Sequence, residues 1–425
     1  MATRVYVESL GCKLNQCERD RLAQQFAESG FLVVDQVQEA DLCVLNTCAV
    51  THVAAGKSRR RAHQLRRLNP SMWLVATGCY TGISDNGLCA DLIVENADKD
   101  SLVSRVQAAV RSTDLFAGEK PDGIERSLLT RTRPLVKIQD GCDNDCSYCI
   151  VRVLRGRQRS RPRGQVVAEV ISLVGQGHRE VVLTGVHVGA YGREGGDSLA
   201  GLVRAILDQT HAPERLRLSS IEPWDLTPGF FDLWQDARLC RHLHLPLQSG
   251  CDATLARMNR RYTTARFADQ VAQARAAIPD LAITTDLIVG FPGESEAEFA
   301  QSLTFVEQMA FARAHVFPFS PRPGTPAAAM PGQIDPQTRR DRTRQMSQVA
   351  QRSSEAFRQR FLGRVLAVLW ETRRADGRWS GLTDNYIRVF ANSKRALSNT
   401  ICLVRLLALD ASGMRGEWVA GSACS

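Results

Sequence analysis

The sequence predicts an α/β protein in three parts: a small α/β domain, a longer run of βα units, and a small terminal β-barrel. Three observations carry this prediction. Apolar runs of strand length alternate with amphipathic helical patterns from Arg4 to Phe319. One polar stretch, residues 111–133, interrupts the alternation. Beyond the polar helical pattern at 336–360, only strand-like runs remain. The chain has 425 residues, 44% hydrophobic and 23% charged. That is enough for two or three packed domains of roughly 150 residues, and too mixed for a disordered or fibrous chain.

The first domain spans residues 2–110. Arg4–Ser9 reads as a strand, and Glu18–Ser29 as a helix with Leu22 and Phe26 on one face and Gly30 as its stop. Leu42–Leu45 is a short apolar strand, Ala54–Leu68 a basic helix ended by Asn69-Pro70, Trp73–Ala76 a further strand, and Asp98–Val110 a closing helix. Strands separated by helices imply a parallel sheet. Residues 111–133, with Gly118, Pro121 and Gly123 in a polar setting, read as a linker.

Residues 134–335 form the second domain. Its expected strands are Leu135–Gln139, Glu180–Thr184, Arg215–Ser219, His242–Leu247, Ala282–Val289 and Ala314–Phe319. Helical patterns lie between them at Gln165–Gln176, Leu199–Gln209, Phe230–Asp236, Thr264–Ala277 and Ser295–Met309. Periodicity allows either a doubly wound sheet or a partial barrel, and in both the strand C-termini carry the chemistry. A connecting helix at 336–360 leads to a terminal domain at 361–425. There, Val365–Glu371, Tyr386–Phe390 and Thr400–Leu407 are strand-like, with turns at Asp376-Gly377 and Asn392-Ser393, which suits a small barrel or sandwich.

The net charge of +9 suits a polyanionic partner as well as a plain basic enzyme. No apolar stretch approaches the ~20 residues of a membrane-spanning helix. Met1–Leu10 lacks the basic head and apolar run of a secretory signal, so a cytoplasmic protein with no membrane partner is expected. Thirteen cysteines in such a chain point to metal or redox chemistry rather than a disulfide framework.

The strongest local signal is Gly141-Cys142-Asp-Asn-Asp-Cys146-Ser-Tyr-Cys149, directly after the first strand of the long βα series. A tight loop there can turn three thiolates onto one cluster, with Gly141 letting the backbone bend. A zinc site asks for four ligands, and no fourth cysteine or histidine lies nearby in the sequence. Three ligands on a 4Fe-4S cluster leave one iron open to a small molecule. Three buried thiols or a structural zinc is the plainer alternative.

This Cys-x3-Cys-x2-Cys loop resembles that of the radical S-adenosylmethionine superfamily, whose fold is a partial barrel of six βα units. The resemblance implies that Cys142, Cys146 and Cys149 hold a 4Fe-4S cluster and that Tyr148 lies beside the adenine of S-adenosylmethionine. Thr184-Gly185 matches the strand end that meets the amino group, with Val186 in place of the family's acid. Asp286-Leu-Ile288-Val-Gly290-Phe-Pro-Gly-Glu294 resembles the adenine-gripping motif, with its Glu displaced by one residue. Glu222, Gln248 and Ile288 complete the expected cofactor-binding set, and His187 and Asp286 are further candidates to line the pocket. No general acid or base is identified.

In the N-terminal domain Cys12 lies in Leu10-Gly-Cys-Lys-Leu-Asn15, Cys48 in Asn46-Thr-Cys-Ala-Val50 and Cys79 in Thr77-Gly-Cys-Tyr80. Each follows an expected strand, so parallel pairing brings them together. The arrangement is similar to the methylthiotransferases, which implies that Cys12, Cys48 and Cys79 hold a second, auxiliary 4Fe-4S cluster, with Asn15 and Asn46 in flanking motif positions. The likeness covers residues 3 to 409. Lys137-Ile-Gln-Asp-Gly-Cys142, Leu183-Thr-Gly-Val-His-Val-Gly189, Ser219-Ser-Ile-Glu-Pro223, His244-Leu-Pro-Leu-Gln-Ser-Gly250 and Val316-Phe-Pro-Phe-Ser-Pro321 resemble the branch acting on threonylcarbamoyladenosine in tRNA. Two S-adenosylmethionine molecules, an electron donor and the anticodon arm of tRNA are then the implied partners, with no role for DNA. The other branches act on isopentenyladenosine in tRNA or on a ribosomal-protein aspartate. A non-enzymatic alternative is an RNA-binding regulator that senses redox state through its clusters.

The remaining cysteines, Cys17, Cys43, Cys89, Cys240, Cys251, Cys402 and Cys424, are expected as small buried hydrophobes. Lys57, Arg59 and Arg60, in a helix with positive charge around most of its surface, are candidate RNA contacts. So are Arg155 and Arg157, in a run of five arginines from Arg155 to Arg163. Arg339, Arg340, Arg342 and Arg344 on the long helix are expected at the surface. The terminal segment resembles the TRAM domain, an RNA-binding barrel, in which Arg388, Lys394 and Arg395 would meet phosphates and Trp379 or Tyr386 would stack on a base.

Overall fold

The computed structural model of the chain describes residues 3–83, 87–112, 131–209, 212–227, 229–419 and 424; most of the expected linker, 113–130, lies outside them. The chain forms two compact units. The first comprises Met1–Arg131, Asp140–Arg159 and Ser320–Ala328; the second comprises Thr132–Gln139, Ser160–Phe319 and Ala329–Ser425.

The chain opens with β1 (Arg4–Ser9), α1 (Lys13–Glu28), β2 (Leu32–Val34), β3 (Leu42–Thr47), α2 (His52–Leu68), β4 (Trp73–Gly78), β5 (Leu92–Ile93) and α3 (Leu102–Ser112). The five strands form one parallel sheet in the order β2-β1-β3-β4-β5. β3 is apolar and wholly buried at its centre, as a strand covered on both faces must be. Val5, Phe26, Val44 and Val106 fill one face, and Leu45, Ala62, Leu65 and Leu74 the other. α1 begins five residues earlier than its apolar pattern suggests, directly after Cys12, which stands in extended backbone at its N-cap position. Thr51 caps α2 by accepting a hydrogen bond from the Ala54 amide.

Next come β6 (Leu135–Lys137), β7 (Gln139–Asp140), α4 (Val151–Arg155), β8 (Arg159–Ser160), α5 (Arg163–Gly175), β9 (Glu180–Thr184), α6 (Leu199–Leu207), β10 (Arg215–Leu218) and β11 (His242–His244). They are followed by α7 (Asp252–Arg257), α8 (Thr264–Ala277), β12 (Ala282–Val289), α9 (Glu296–Met309), β13 (Arg313–Pro318), α10 (Pro326–Ala329) and α11 (Pro336–Gln359). In the second unit β10, β9 and β6 pair in parallel, as do β11, β12 and β13. Parallel bridges Leu216 to Leu239 and Ser220 to His244 link the two sets. The result is the six-stranded partial barrel. Phe230–Gln235 forms a 3₁₀ turn where a regular helix was expected.

The terminal segment closes a five-stranded barrel from β14 (Val365–Arg373), β15 (Trp379–Thr383), β16 (Arg388–Ala391), β17 (Ile401–Asp410) and β18 (Gly413–Trp418), in the order β14-β15-β16-β18-β17. Its core holds Val368, Trp370, Val389, Val404 and Met414. Closure removes the edge strands that a three-stranded reading would have left unpaired. Two expectations are corrected here. Cys402 and Cys424 are joined by a disulfide, their Cα atoms 4.4 Å apart. Arg342 on α11 is buried rather than at the surface, because its guanidinium meets the Glu294 carboxylate at 2.8 Å. No helix among the described residues is long and apolar enough to cross a membrane.

Candidate active site

Register places the first cysteine group. Ser9 pairs with Asn46 and Asn46 with Thr77, so β1, β3 and β4 end level and their loops leave from one edge. Cys12, Cys48 and Cys79 stand in those three loops. Gly11 has φ +100°, and a Cβ there would lie 2.5 Å from the Cys48 Sγ, so only glycine lets the backbone pass the sulfur. Burial pushes the Cys48 thiol up to about 11, against a hydrogen bond from the Val50 backbone, and Cys12 and Cys79 add to the rise. Burial likewise raises Cys79, opposed by the charges of Arg155 and Lys99. The three sulfurs therefore lie within electrostatic reach of one another.

Glu18 and Lys99, which sequence reasoning missed, brace this group together with Asn15, Asn46 and Arg155. Asn15 is fully buried; its amide donates to the Leu10 and Thr47 carbonyls, each at 2.8 Å. The Asn46 amide donates to the Asn15 carbonyl at 3.0 Å. Lys99 donates to Glu18 at 2.6 Å, Asn96 at 2.7 Å and Asn46 at 3.2 Å. Arg155, its side chain 2% exposed, donates to Glu18, Asp140 and Asn15 at 2.9, 3.0 and 2.7 Å. Its Nε donates to the Cys79 Sγ at 3.2 Å. Arg322 is also buried within reach of Tyr80 and Cys48, and its Nε has no hydrogen-bond partner among the described residues.

The second cysteine group lies in the same unit. Gly141 has φ +69°, and a Cβ there would lie 2.0 Å from the Arg157 carbonyl oxygen. That approach lets the Cys142 amide donate to the Gly156 carbonyl at 3.1 Å and closes the loop base. The Cys149 amide donates to the Cys146 carbonyl at 3.0 Å, and the Asn144 amide to the Cys142 Sγ at 3.4 Å. All three cysteines and Tyr148 are half-buried.

Among the described residues no three His, Cys, Asp or Glu side chains gather tightly enough for a single metal ion. A four-iron cube meets its thiolates at separate corners and asks for wider spacing. Three sulfurs around a backbone position that excludes Cβ, flanked by two buried guanidiniums, fit an anionic cluster.

The other expected cofactor residues stand at the strand C-termini of the second unit. Thr184 ends β9, and the Gln139 Oε1 accepts the Val186 and His187 amides at 3.0 and 2.8 Å. Those donors beyond Gly185 are therefore already engaged where the acid is missing. Glu222, after β10, is ion-paired with Arg260, which lies 4.7 Å over the Trp224 ring. Gln248 donates its amide to the Asp286 carbonyl and accepts from the Ile288 amide, both at 2.8 Å, which brings these two strands' site residues together. Burial would raise the Asp286 carboxyl, but His244 and His315, at 3.3 and 3.1 Å, hold it well below the usual carboxylate range. His187 and Asp225 are 2.6 Å apart, a buried pair whose acidic half sequence reasoning missed. Its only sequence trace is a polar residue close behind an apolar strand.

The basic residues divide. Lys57, Arg59 and Arg60 are exposed on α2, whereas Arg61 and Arg66 pair with Glu8 and Asp91 at 2.7 and 2.5 Å. Positive charge therefore covers one face of α2 rather than most of its surface. Arg157 is exposed. Arg155 is not available to phosphate, because Glu18 and Asp140 bury and neutralise it. Arg388 is taken by Glu371 at 2.6 Å and by Ser380 at 3.1 Å. Trp379 belongs to the barrel core, and Tyr386 stacks on His242 with ring centroids 4.3 Å apart.

Two family descriptions match the chain: the Radical SAM superfamily over residues 136–306 and the Uncharacterized protein family UPF0004 over residues 4–97. The threonylcarbamoyladenosine tRNA methylthiotransferase MtaB of Thermotoga maritima is 35% identical over 393 residues, 90% of each chain. Its Bacillus subtilis counterpart is 33% identical and covers 99% of this chain and 97% of its own. The tRNA-2-methylthio-N(6)-dimethylallyladenosine synthase of Frankia alni is 38% identical over 90% of this chain and 81% of its own. In fold, the chain is similar to the radical S-adenosylmethionine methyltransferase TsrM from Kitasatospora setae (TM-score 0.57, 17% identity, 77% of both chains). With two relatives above 30% identity across nine-tenths of their length, and the Radical SAM match over the barrel, the chain belongs to the radical S-adenosylmethionine methylthiotransferases.

Proposed function

We propose that this protein attaches a methylthio group to carbon 2 of N6-threonylcarbamoyladenosine next to the anticodon of tRNA, using two S-adenosylmethionine molecules and two 4Fe-4S clusters. The observation that carries the reading is a pair of three-cysteine sets in a chain whose relatives bear that activity in their names. An aromatic C–H of adenine resists polar substitution at neutral pH, and the bound clusters and S-adenosylmethionine supply radical hydrogen abstraction and a methylated sulfur.

The chain's own residues bind, orient and shield. Cys142, Cys146 and Cys149 give up their thiol protons to hold one cluster, and Cys12, Cys48 and Cys79 to hold the other. Tyr148, Thr184, Gly185, Glu222, Gln248 and Ile288 hold S-adenosylmethionine, with Glu222 kept in orientation by Arg260. Lys57, Arg59, Arg60 and Arg157 meet tRNA phosphates from exposed positions. The terminal barrel acts as a TRAM-like RNA-binding domain, and an electron donor of the cytoplasm reduces the clusters.

Mass spectrometry of tRNA nucleosides from cells with and without the gene tests this reading. The methylthio nucleoside is expected to vanish and its threonylcarbamoyladenosine precursor to accumulate; unchanged tRNA overturns it. In vitro, Cys149→Ala is expected to abolish turnover while tRNA binding is retained.

A further inference from the structure

We infer that Arg155 is a positioning residue for the N-terminal cysteine site: its Nε–H, donated to the Cys79 sulfur, raises the reduction potential of the cluster held there. The inference rests on the reading that Cys12, Cys48 and Cys79 hold a 4Fe-4S cluster.

Arg155 lies 76 residues from Cys79 in sequence, in the short helix that follows the Cys142 loop, and its side chain is 2% exposed. A buried guanidinium must have its donors satisfied, and this one does so in two directions. Both Nη atoms meet oxygen: Nη1 on Glu18 at 2.9 Å and Asp140 at 3.0 Å, Nη2 on Asn15 at 2.7 Å and Glu18 at 3.3 Å. Those contacts account for burial and neutrality. Nε alone is aimed at sulfur, at 3.2 Å.

A hydrogen bond and a positive charge at a ligating sulfur favour the more electron-rich, reduced form of an iron–sulfur cluster. The same residue leaves the Cys142 loop through Cys149 and α4, so one side chain ties the loop of one cysteine set to a ligand of the other. Asn15, which shares Arg155, also stands within 3.9 Å of the Cys12 sulfur, so the bracing reaches a second ligand position. Lys99 also donates to the Glu18 Oε2, at 2.6 Å, so Glu18 is shared between two cations while Arg155 serves Asp140 and the sulfur as well. A purely structural arginine would need the oxygen contacts only.

The two roles separate by substitution. The full chain carrying Cys142→Ser, Cys146→Ser and Cys149→Ser, reconstituted without oxygen, isolates the N-terminal site. Dithionite titration followed by electron paramagnetic resonance then reads its midpoint. Arg155→Lys, which keeps a cation but removes Nε–H, is expected to lower the reduced-to-oxidised ratio about tenfold at fixed poise, about 59 mV for one electron. Asp140→Asn, which removes an oxygen contact but keeps Nε–H, is expected to lower thermal stability without lowering the midpoint. Should Arg155→Lys fail to fold, the double variant Arg155→Gln with Asp140→Asn removes both charges and is expected to show the same drop. An unchanged midpoint in Arg155→Lys, or in the double variant, overturns the inference alone. Equal drops in Arg155→Lys and Asp140→Asn overturn it too, because the midpoint would then follow stability. Loss of iron from the chain with only Cys12, Cys48 and Cys79 overturns the underlying reading and the inference with it.

Discussion

At Gly11 a single missing carbon decides whether the N-terminal site can exist. Its φ of +100° belongs to glycine, and the Cβ of any other residue would overlap the Cys48 Sγ at 2.5 Å. Relief would have to come from Cys48, which is itself pinned by the Ser58 hydroxyl at both its amide and its carbonyl, each at 3.0 Å. Gly11→Ala is therefore expected to cost about 1–3 kcal/mol of local strain. It should also halve the iron bound per reconstituted chain, because the Cys142 loop keeps its own share. Iron and protein assays on the purified variant measure this, and full iron content would refute it. The cysteines were readable from sequence because cluster chemistry admits almost no other side chain at those positions. Arg155 was not: its partners Glu18 and Cys79 lie 137 and 76 residues away, and an arginine-dense run looks the same whether it meets phosphate or carboxylate.

Among the elements, α2 shows how folding narrows a charge run. Six Lys and Arg side chains lie between Lys57 and Arg67 in a 17-residue helix, yet Glu8 and Asp91 take two of them and leave Lys57, Arg59, Arg60 and Arg67 exposed, the first three in the first half of the helix. Replacing those three by alanine is expected to weaken tRNA binding and to reduce the salt slope of log K by about two to three, at roughly 0.7–0.9 per phosphate contact. Arg61→Ala is expected to leave that slope unchanged and to cost no more than about 1 kcal/mol of stability. Filter binding across a salt series separates the two; equal slopes for wild type and triple variant would remove α2 from the RNA interface. β9 and β12 were legible because buried parallel strands are nearly continuous apolar runs. β15 and β18 were not, because packing required glycine inside them. A Cβ at Gly381 would lie 2.5 Å from the Leu369 carbonyl, and one at Gly416 2.3 Å from the Val404 side chain. Close packing of the terminal barrel thus erased the alternation by which its strands would be recognised.

Across the second unit, one buried carboxylate fastens the two barrels together. Glu180, at the start of β9, receives Arg217 in a fork at 2.6 and 3.2 Å, with Arg133 and Arg215 at 3.6 and 3.8 Å. Arg217 also donates to the Asp384 and Thr383 carbonyls, and Arg215 to those of Leu382 and Ala367, all in the terminal barrel. Burial would raise the Glu180 carboxyl, but the charges of Arg217 and Arg133 outweigh it and hold it below the ordinary value. Its stabilising contribution is thus complete above the unfolded pKa of about 4.3 and is lost as pH falls through the lower folded value. Glu180→Gln leaves Arg217 buried and uncompensated, so at pH 7 it is expected to cost about 3–5 kcal/mol. Below the folded value, where the wild-type carboxyl is protonated too, the two chains should converge. Denaturation followed by tryptophan fluorescence suits the measurement, because Trp224, Trp234, Trp370, Trp379 and Trp418 all lie in this unit and only Trp73 lies in the other. A constant gap between the two chains from pH 7 down into the acid limb would show that the loss comes from packing rather than from the carboxylate charge.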